Sequence, residues 1–576
     1  MGRLLISLIL TFSIFSCTKS SKLDENTLNV PIAGQISTLD PAQSFDTISA
    51  SVIYQGYDQL FEYHYLKRPY QVQPLLATSM PKIENDGTRY IINIRSNIRY
   101  HDDPVFEGKP RYVKAEDFIT QIKRLAFLPT NSNGWWLFKG KIKGIDEFRK
   151  QAGNDLEKFK SLKVEGLTAT DDTTLVIDLV KPHPQMLYAL TMTFASPMPM
   201  EAVMKYNNDL GERIIGTGAY KLKNWTRNSI ITFERFENYH NRFYPAQGDR
   251  LANSRELLKD AGKKLPFIER VNFKVIKEAQ TRWLNFLKGK IDYLALPKDN
   301  YNTTITPSGE LNSELKKKKI KLQIFPSLTY WWLSFNMNDP IVGKNLNLRK
   351  AIAHAIDYDR YITMFTNNIG QKANSIYPPG IAGYDPSNVL PYEYSLEKAK
   401  EYLAKAGYPN GKGLPIIKYD TRGSNTTIRQ RAEFIKTSLS KIGIKIDVHT
   451  NNFPAFLDKA KKGKLQFWLD GWALDYPDAE NVLQLLISKN VSPYGPNSTF
   501  YSNKKVDDLF DQLKILPDGK EKFDLMVKIE KEVNEQLPWV MLFYSRNYIV
   551  SHERLKNFRH SDIIYNQIKY LKIDNR

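Results

Sequence analysis

Apolar and polar positions along this chain follow two distinct periods, and the change of period divides it. Near the start, Leu28-Asn-Val-Pro-Ile reads as a buried strand, followed by a loop through Ser37-Thr-Leu-Asp-Pro and a helical spacing of apolar residues from Ser51 to Phe61. Between Arg89 and Arg95, Tyr90, Ile92 and Ile94 stand against Ile91, Asn93 and Arg95, and Thr173 to Val180 alternates in the same way. This part predicts a sheet-bearing domain of its own. From Thr329 onward, helices and strands follow in succession. Leu348, Ala351, Ile352, Ala355 and Ile356 mark one face of a buried helix. A second helix is predicted from Ser395, a capping residue, through Leu396, Ala399, Leu403 and Ala406, ending at Gly407 with Pro409 behind it. A third places Ile428, Ala432, Ile435, Leu439 and Ile442 on one face, ends at Gly443 and feeds the alternating strand Ile444 to Val448. Helices alternating with strands predict an α/β domain. There is no repeat of fixed period and no Pro/Gly/Ser-rich linker.

Composition sharpens the outline at the amino terminus. Arg3 followed by the apolar run Leu4 to Phe15 reads as an export signal, too short to span a bilayer. The run ends in Ile14-Phe15-Ser16-Cys17, which resembles the lipobox of bacterial lipoproteins; that resemblance implies that Cys17 becomes the mature first residue and carries lipid. An ordinary secretory signal with an incidental cysteine is the other reading. Thr18 to Asn26 has the polar composition of a solvated tether. By the same resemblance, Thr18 is not the aspartate that retains some lipoproteins at an inner membrane, so an outer-membrane anchor is permitted. Cys17 is the only cysteine, which excludes an internal disulfide. No later stretch is apolar enough for a membrane helix. The full 576-residue sequence is 42% apolar and 12% aromatic, the composition of a globular chain, and the length beyond the tether predicts two or three folded cores.

The formal charge of +20 raises nucleic acid as a partner, but Lys and Arg are scattered, the one dense run is Lys316 to Lys319, and no reader motif is present. A basic surface lying near anionic lipid accounts for the same charge. Catalysis finds little support. There is no Gly-x-Ser-x-Gly elbow, Asp507-Asp508 begins a helical pattern where acids are common, and the histidines form no His-Glu-x-x-His. Gly411-Lys-Gly reads as a turn, not as a phosphate loop. No metal site and no cofactor are expected.

Several blocks occur in an order that resembles the peptide-and-nickel class of ABC solute-binding proteins, the family of the oligopeptide- and dipeptide-binding proteins. They are Ser37-Thr-Leu-Asp-Pro-Ala; Asp86-Gly-Thr; His101-Asp with Ala115-Glu-Asp-Phe; Gly216-Thr-Gly-Ala-Tyr; Lys288-Gly-Lys-Ile-Asp; Leu348-Arg-Lys-Ala-Ile with Ala355-Ile-Asp; Ala399 to Gly411; and Trp472-Ala-Leu-Asp-Tyr-Pro-Asp. Each block alone is weak, and the ordered set is strong. Two stretches depart from the family pattern: a longer loop between His101-Asp and Ala115, and what looks like an insertion from Asn241 to Lys264.

The resemblance implies a two-lobed α/β periplasmic-binding-protein fold with a hinge and an extra inserted domain. It divides the chain into a signal (1–16), a lipid-anchored tether (17–26), a discontinuous first lobe (27–60, 191–324 and 546–576), an inserted domain (61–190) and a second lobe (325–545). It further implies a monomer held outside the cytoplasm, on the periplasmic face or cell surface, that captures an oligopeptide or dipeptide and hands it to ABC permease subunits. A nickel chelate, haem or sugar on the same fold, or a lipoprotein sensor or scaffold, are the alternatives.

The segment Gln466 to Leu474 reads as a strand with Asp475 just past its end, where ligands bind in open α/β sheets. A peptide pairing with the backbone of Gly471, Trp472, Ala473 and Leu474 is read by its main chain, and Gly471 permits close approach. By the resemblance, Asp475 pairs with the ligand's α-amino group; on residue pattern alone, Asp475 or Asp478 caps the helix beginning near Pro477. Trp472 lines a side-chain pocket or is a core tryptophan. Only one of Trp331 and Trp332 can face the cleft; Trp331 is taken as the site residue. Ile36 and Ser37 are the expected opposing edge in the first lobe.

Overall fold

The two alternating runs pair with each other. Arg89–Asn93 lies antiparallel to Thr174–Asp178, flanked by Lys82–Glu84 and Leu167–Asp171, in a four-stranded antiparallel sheet. The structure is a computed structural model that describes residues 26–574 apart from 45, 424, 425 and 494. Cys17 and residues 1–25, on which the signal and lipid readings fall, lie outside the described residues. A second sheet places Thr27–Ile32 at its edge, parallel to Arg270–Val275, with Ile230–Arg235 and Tyr220–Thr226 beyond. A single apolar core joins these two sheets, with Leu28, Phe233 and Phe273 from one and Ile92, Leu175 and Ile177 from the other.

The helix expected over Ser51 to Phe61 spans Thr47–Gly56 instead. It starts early because the Asp46 side chain accepts from Ser49 N–H at 2.8 Å, and it stops where Gly216 and Gly218 pack against the backbone of Gly56. Phe61–Tyr63 is then a strand.

From residue 346 the α/β alternation appears as predicted. Helices Leu346–Ala355, Leu396–Lys405 and Thr426–Ser440 cover a sheet in which Ile417–Asp420 runs parallel to Ile446–His449 and to Phe467–Ala473. Ser395 caps its helix by accepting from Lys398 N–H. Leu348, Ile352, Ile435, Leu439 and Phe467 fill a core that belongs to this lobe.

Two long strands connect the lobes. Ile320–Phe335 and Trp539–His552 run antiparallel, with Tyr293–Ala295 against the second of them at one end and Phe467–Ala473 against the first at the other. Their register breaks between Pro326 and Tyr330. Asp562 fastens that break: it accepts from Ser327 Oγ at 2.6 Å, Leu328 N–H at 3.1 Å and Asn547 Nδ2 at 2.7 Å, so both crossing strands hold the same carboxylate. The result is a two-lobed α/β molecule with a cleft at the crossing.

Candidate functional site

The cleft holds a cavity of about 720 Å³. Its first-lobe wall comprises Val30, Pro31 and Ile32 of the edge strand and Asp46, Ala50 and Tyr54 of the first helix. Its second-lobe wall comprises Thr329, Ala473, Leu474 and Asp475, and the carboxy-terminal segment around Tyr565 closes the floor. That size suits a small ligand held between domains.

Strand parity decides which expected residues reach this wall. Thr329 pairs with Ala473, Trp331 with Gly471, and Tyr330 with Trp472. Gly471, Ala473, Thr329 and Trp331 therefore share one face, and Trp472 lies on the other. Trp472 packs beside a core containing Tyr330 and Trp332, and its indole N–H donates to Asn481 Oδ1 at 3.0 Å. Trp332 lies at a tilt against Trp539 at 4.5 Å, whereas Trp331 stacks on Phe543 beside the second-lobe core; of the expected Trp331, Gly471 and Trp472, none lines the cavity. A Cβ on Gly471 would meet the Trp331 ring at 2.6 Å, so the space that glycine opens is taken by an indole rather than by another backbone.

Phe467–Ala473 is paired with Ile320–Phe335 along its whole length, but on its other edge, among the described residues, only Phe467 and Trp468 have strand partners. The edge from Leu469 to Ala473 leads toward Asp475; of its residues Ala473 lines the cavity, and Gly471 N–H is held by Asp470 Oδ1 at 2.9 Å. Arg422 sits over it, donating to Gly471 O at 3.2 Å, forming an ion pair with Asp470 at 3.0 Å and lying across the Trp331 ring.

Asp475 is open to the cleft solvent, yet the surrounding walls remove enough water to push its carboxyl above the ordinary range, with the Asn481 hydrogen bond pulling it back. Asn481 is fully buried and does three jobs: its Oδ1 accepts from the Trp472 indole and from Asp475 N–H, and its Nδ2 donates to Asp475 Oδ2 at 3.2 Å. Asp478 is the helix cap, accepting from Glu480 N–H at 2.8 Å and forming a buried ion pair with Lys522. Asp475 is thus left for the cleft.

Ile36 and Ser37 stand off the cavity wall. Ile36 is turned into the core, the Ser37 N–H donates to Ser49 Oγ and its hydroxyl to Asp46, so that edge is already used. Val30 to Ile32 face the cavity instead. Sequence reasoning also missed Asn481, Arg422 and Asp562. An Asn just before the apolar positions Val482, Leu483, Leu485 and Leu486 was the available signal for the first, since a polar residue at a buried position needs a partner. The other two depend on contacts between distant segments.

Comparisons with known proteins agree with this geometry. The sequence model of the bacterial extracellular solute-binding proteins, family 5 (middle region) matches residues 71–493. The dipeptide-binding protein of Escherichia coli K12 is 24% identical over 498 residues, covering 85% of this chain and 84% of that protein. Heme-binding protein A of Haemophilus influenzae is 25% identical over 529 residues, covering 91% and 87%. The solved periplasmic binding protein DppA of Helicobacter pylori, in complex with the peptide STSA, superposes with a TM-score of 0.69 at 25% identity, covering 95% of this chain and 98% of that one. The resemblance to the peptide-and-nickel class of ABC solute-binding proteins is borne out, and with it the two-lobed fold and an extracytoplasmic place of work. It is a class of carriers, not of enzymes. The chain belongs to the bacterial extracellular solute-binding proteins of family 5.

Proposed function

We propose that this chain is the lipid-anchored binding component of an ABC importer and that its ligand is a peptide with a free amino end. The observation that carries the reading is Asp475, a carboxylate held by Asn481 on the cavity wall at the end of a strand whose next edge is open. An extended peptide adding to Leu469–Ala473 places its α-ammonium at that carboxylate, where a charge-assisted hydrogen bond offsets desolvation. Arg422, over Gly471, is paired with Asp470 and lies off the cavity wall, so the reading rests on the amino end of the ligand alone.

The relative that carries haem supports a second reading on the same fold. The wall charge favours peptide over it: the cavity carries Asp46, Asp475 and Asp562 and, among the described residues, no lysine or arginine. A dianionic macrocycle meets repulsion there.

Calorimetry with a tetra-alanine peptide, glutathione, haem and a nickel–histidine chelate tests the reading. Binding of the peptide alone, lost in Asp475→Ala, is expected. Tight binding of haem or the chelate, unchanged in Asp475→Ala, would overturn it.

A further inference from the structure

We infer that the first lobe carries a basic groove that docks the protein on the anionic phosphate headgroups of the membrane to which it is tethered. The inference rests on the tethered reading proposed above. The groove, about 1030 Å³, lies between the segment around Arg255, the start of the long strand at Ile320–Ile324 and the carboxy-terminal pair Leu555–Lys556 and Lys572–Ile573. Seven lysines and arginines line it against four carboxylates, with Glu553 at its rim as a fifth. None of its lining residues is shared with the cleft cavity, so an occupied groove leaves the cleft open.

Three observations point to phosphate at a surface. Lys259, Lys316 and Lys321 are exposed and pair with Glu256, Glu310 and Glu553, which are exposed too. Exposed pairs are worth little, so their lysines turn to another anion at small cost. The exposed run Lys316 to Lys319 extends the same rim.

Arg255 sits deeper. Its guanidinium lies 5.3 Å from the Phe325 ring centroid, and Nη1 is shielded from solvent without a hydrogen-bond acceptor. That nitrogen is closed to an incoming anion, and the half-buried guanidinium contributes its positive charge to the groove wall.

The third observation is position. Asn26 and Thr27, where the tether joins the lobe, line a neighbouring groove together with Asp574, and Asp574 also lines the basic groove. A lipid at the far end of that tether holds this face near the bilayer, where each lysine or arginine within a Debye length of anionic headgroups adds about fivefold to binding.

The test uses the full chain with Cys17→Ser, so that no lipid is attached, and vesicles of phosphatidylcholine with or without phosphatidylglycerol. Binding through the leader, with Arg3 at its start, is common to every variant and cancels when the variants are compared on the same vesicles. Binding to phosphatidylglycerol vesicles above the neutral baseline is expected. Lys259→Gln/Lys316→Gln/Lys321→Gln should weaken it about a hundredfold, and Arg255→Ala should weaken it further. The triple Lys398→Gln/Lys405→Gln/Lys520→Gln on the second lobe removes as much charge and should change it less than about twofold. Equal losses from both triples would show unspecific charge attraction and overturn the proposal, as would binding no better than to neutral vesicles. Release of the protein from vesicles by dilute inorganic phosphate would assign the groove to free phosphate instead. Peptide calorimetry on the same samples and mass spectrometry of Cys17 in the wild-type protein keep failure here separate from failure of the ligand and tether readings.

Discussion

Replacing Asp475 by Asn keeps the shape of the side chain and its contact with Asn481 while removing the charge. In the proposed bound state the carboxylate faces an ammonium inside a cavity walled by both lobes, and removing one partner of such a pair costs about 2–5 kcal/mol. Asp475 is open to cleft solvent when no ligand is bound, so the unpaired state is partly hydrated and the lower half of that range applies, about 3 kcal/mol or a hundredfold in Kd. Acetylating the peptide's amino end removes the same interaction from the other side. Calorimetry with tetra-alanine and N-acetyl-tetra-alanine against wild type and Asp475→Asn closes a double-mutant cycle. The wild type should prefer the free amine by about a hundredfold, and Asp475→Asn should show no preference. The affinity should also depend on pH in a set direction. Burial raises the carboxyl above 3.8 in the free protein, so acidification through that raised value protonates Asp475 and weakens binding, while alkaline of it the affinity is flat. An acetylated peptide that binds the wild type as tightly as the free one would refute the amine role outright.

Three other substitutions separate support from contact. Asn481→Ala leaves the Trp472 indole N–H and the Asp475 amide without their acceptor and should cost about 1–3 kcal/mol, read in thermal melts, with a lower peptide affinity because Asp475 loses its brace. Gly471→Ala drives a methyl against the Trp331 ring; a loss of about 1–3 kcal/mol and a shift in tryptophan fluorescence are expected. Glu62 is buried, which alone would raise its carboxyl, but Lys569 and Arg242 outweigh burial and hold it at about 2. Its contribution of about 3 kcal/mol is present above pH 4.5, the ordinary value, and is lost as pH falls toward 2. Glu62→Gln should therefore flatten the acid limb of denaturant unfolding and leave the buried Lys569 with only the more distant Asp58, at 4.0 Å.

What could be read from the sequence followed local periodicity. The helices at 346–355, 396–405 and 426–440 carry clean apolar stripes with Ser395 and Gly443 as punctuation, so their alternation with strands was visible one element at a time. The end of the strand marked the place of Asp475, but residue pattern alone favoured a helix cap there, and its ligand role came from the family resemblance. The orientation of Trp472 was not visible: Phe467 to Ala473 is apolar on both faces, so nothing in the pattern says which face meets the cleft. Nor were the pairings that build the cleft. Glu62 meets Lys569 across 507 residues and Asp562 meets Ser327 across 235, and periodicity carries no information at that range. The boundary at Gly56 was set by Gly216 and Gly218 pressing on it, again a tertiary effect.

The central claim, that the cleft of this solute-binding protein takes peptides, is tested most directly by purifying the exported protein from its own cells, unfolding it and identifying the released small molecules by mass spectrometry. Short peptides with free amino ends, absent from an Asp475→Ala sample prepared alongside, are the predicted result. Haem, a metal chelate or a sugar released in equal amounts from both samples would contradict it.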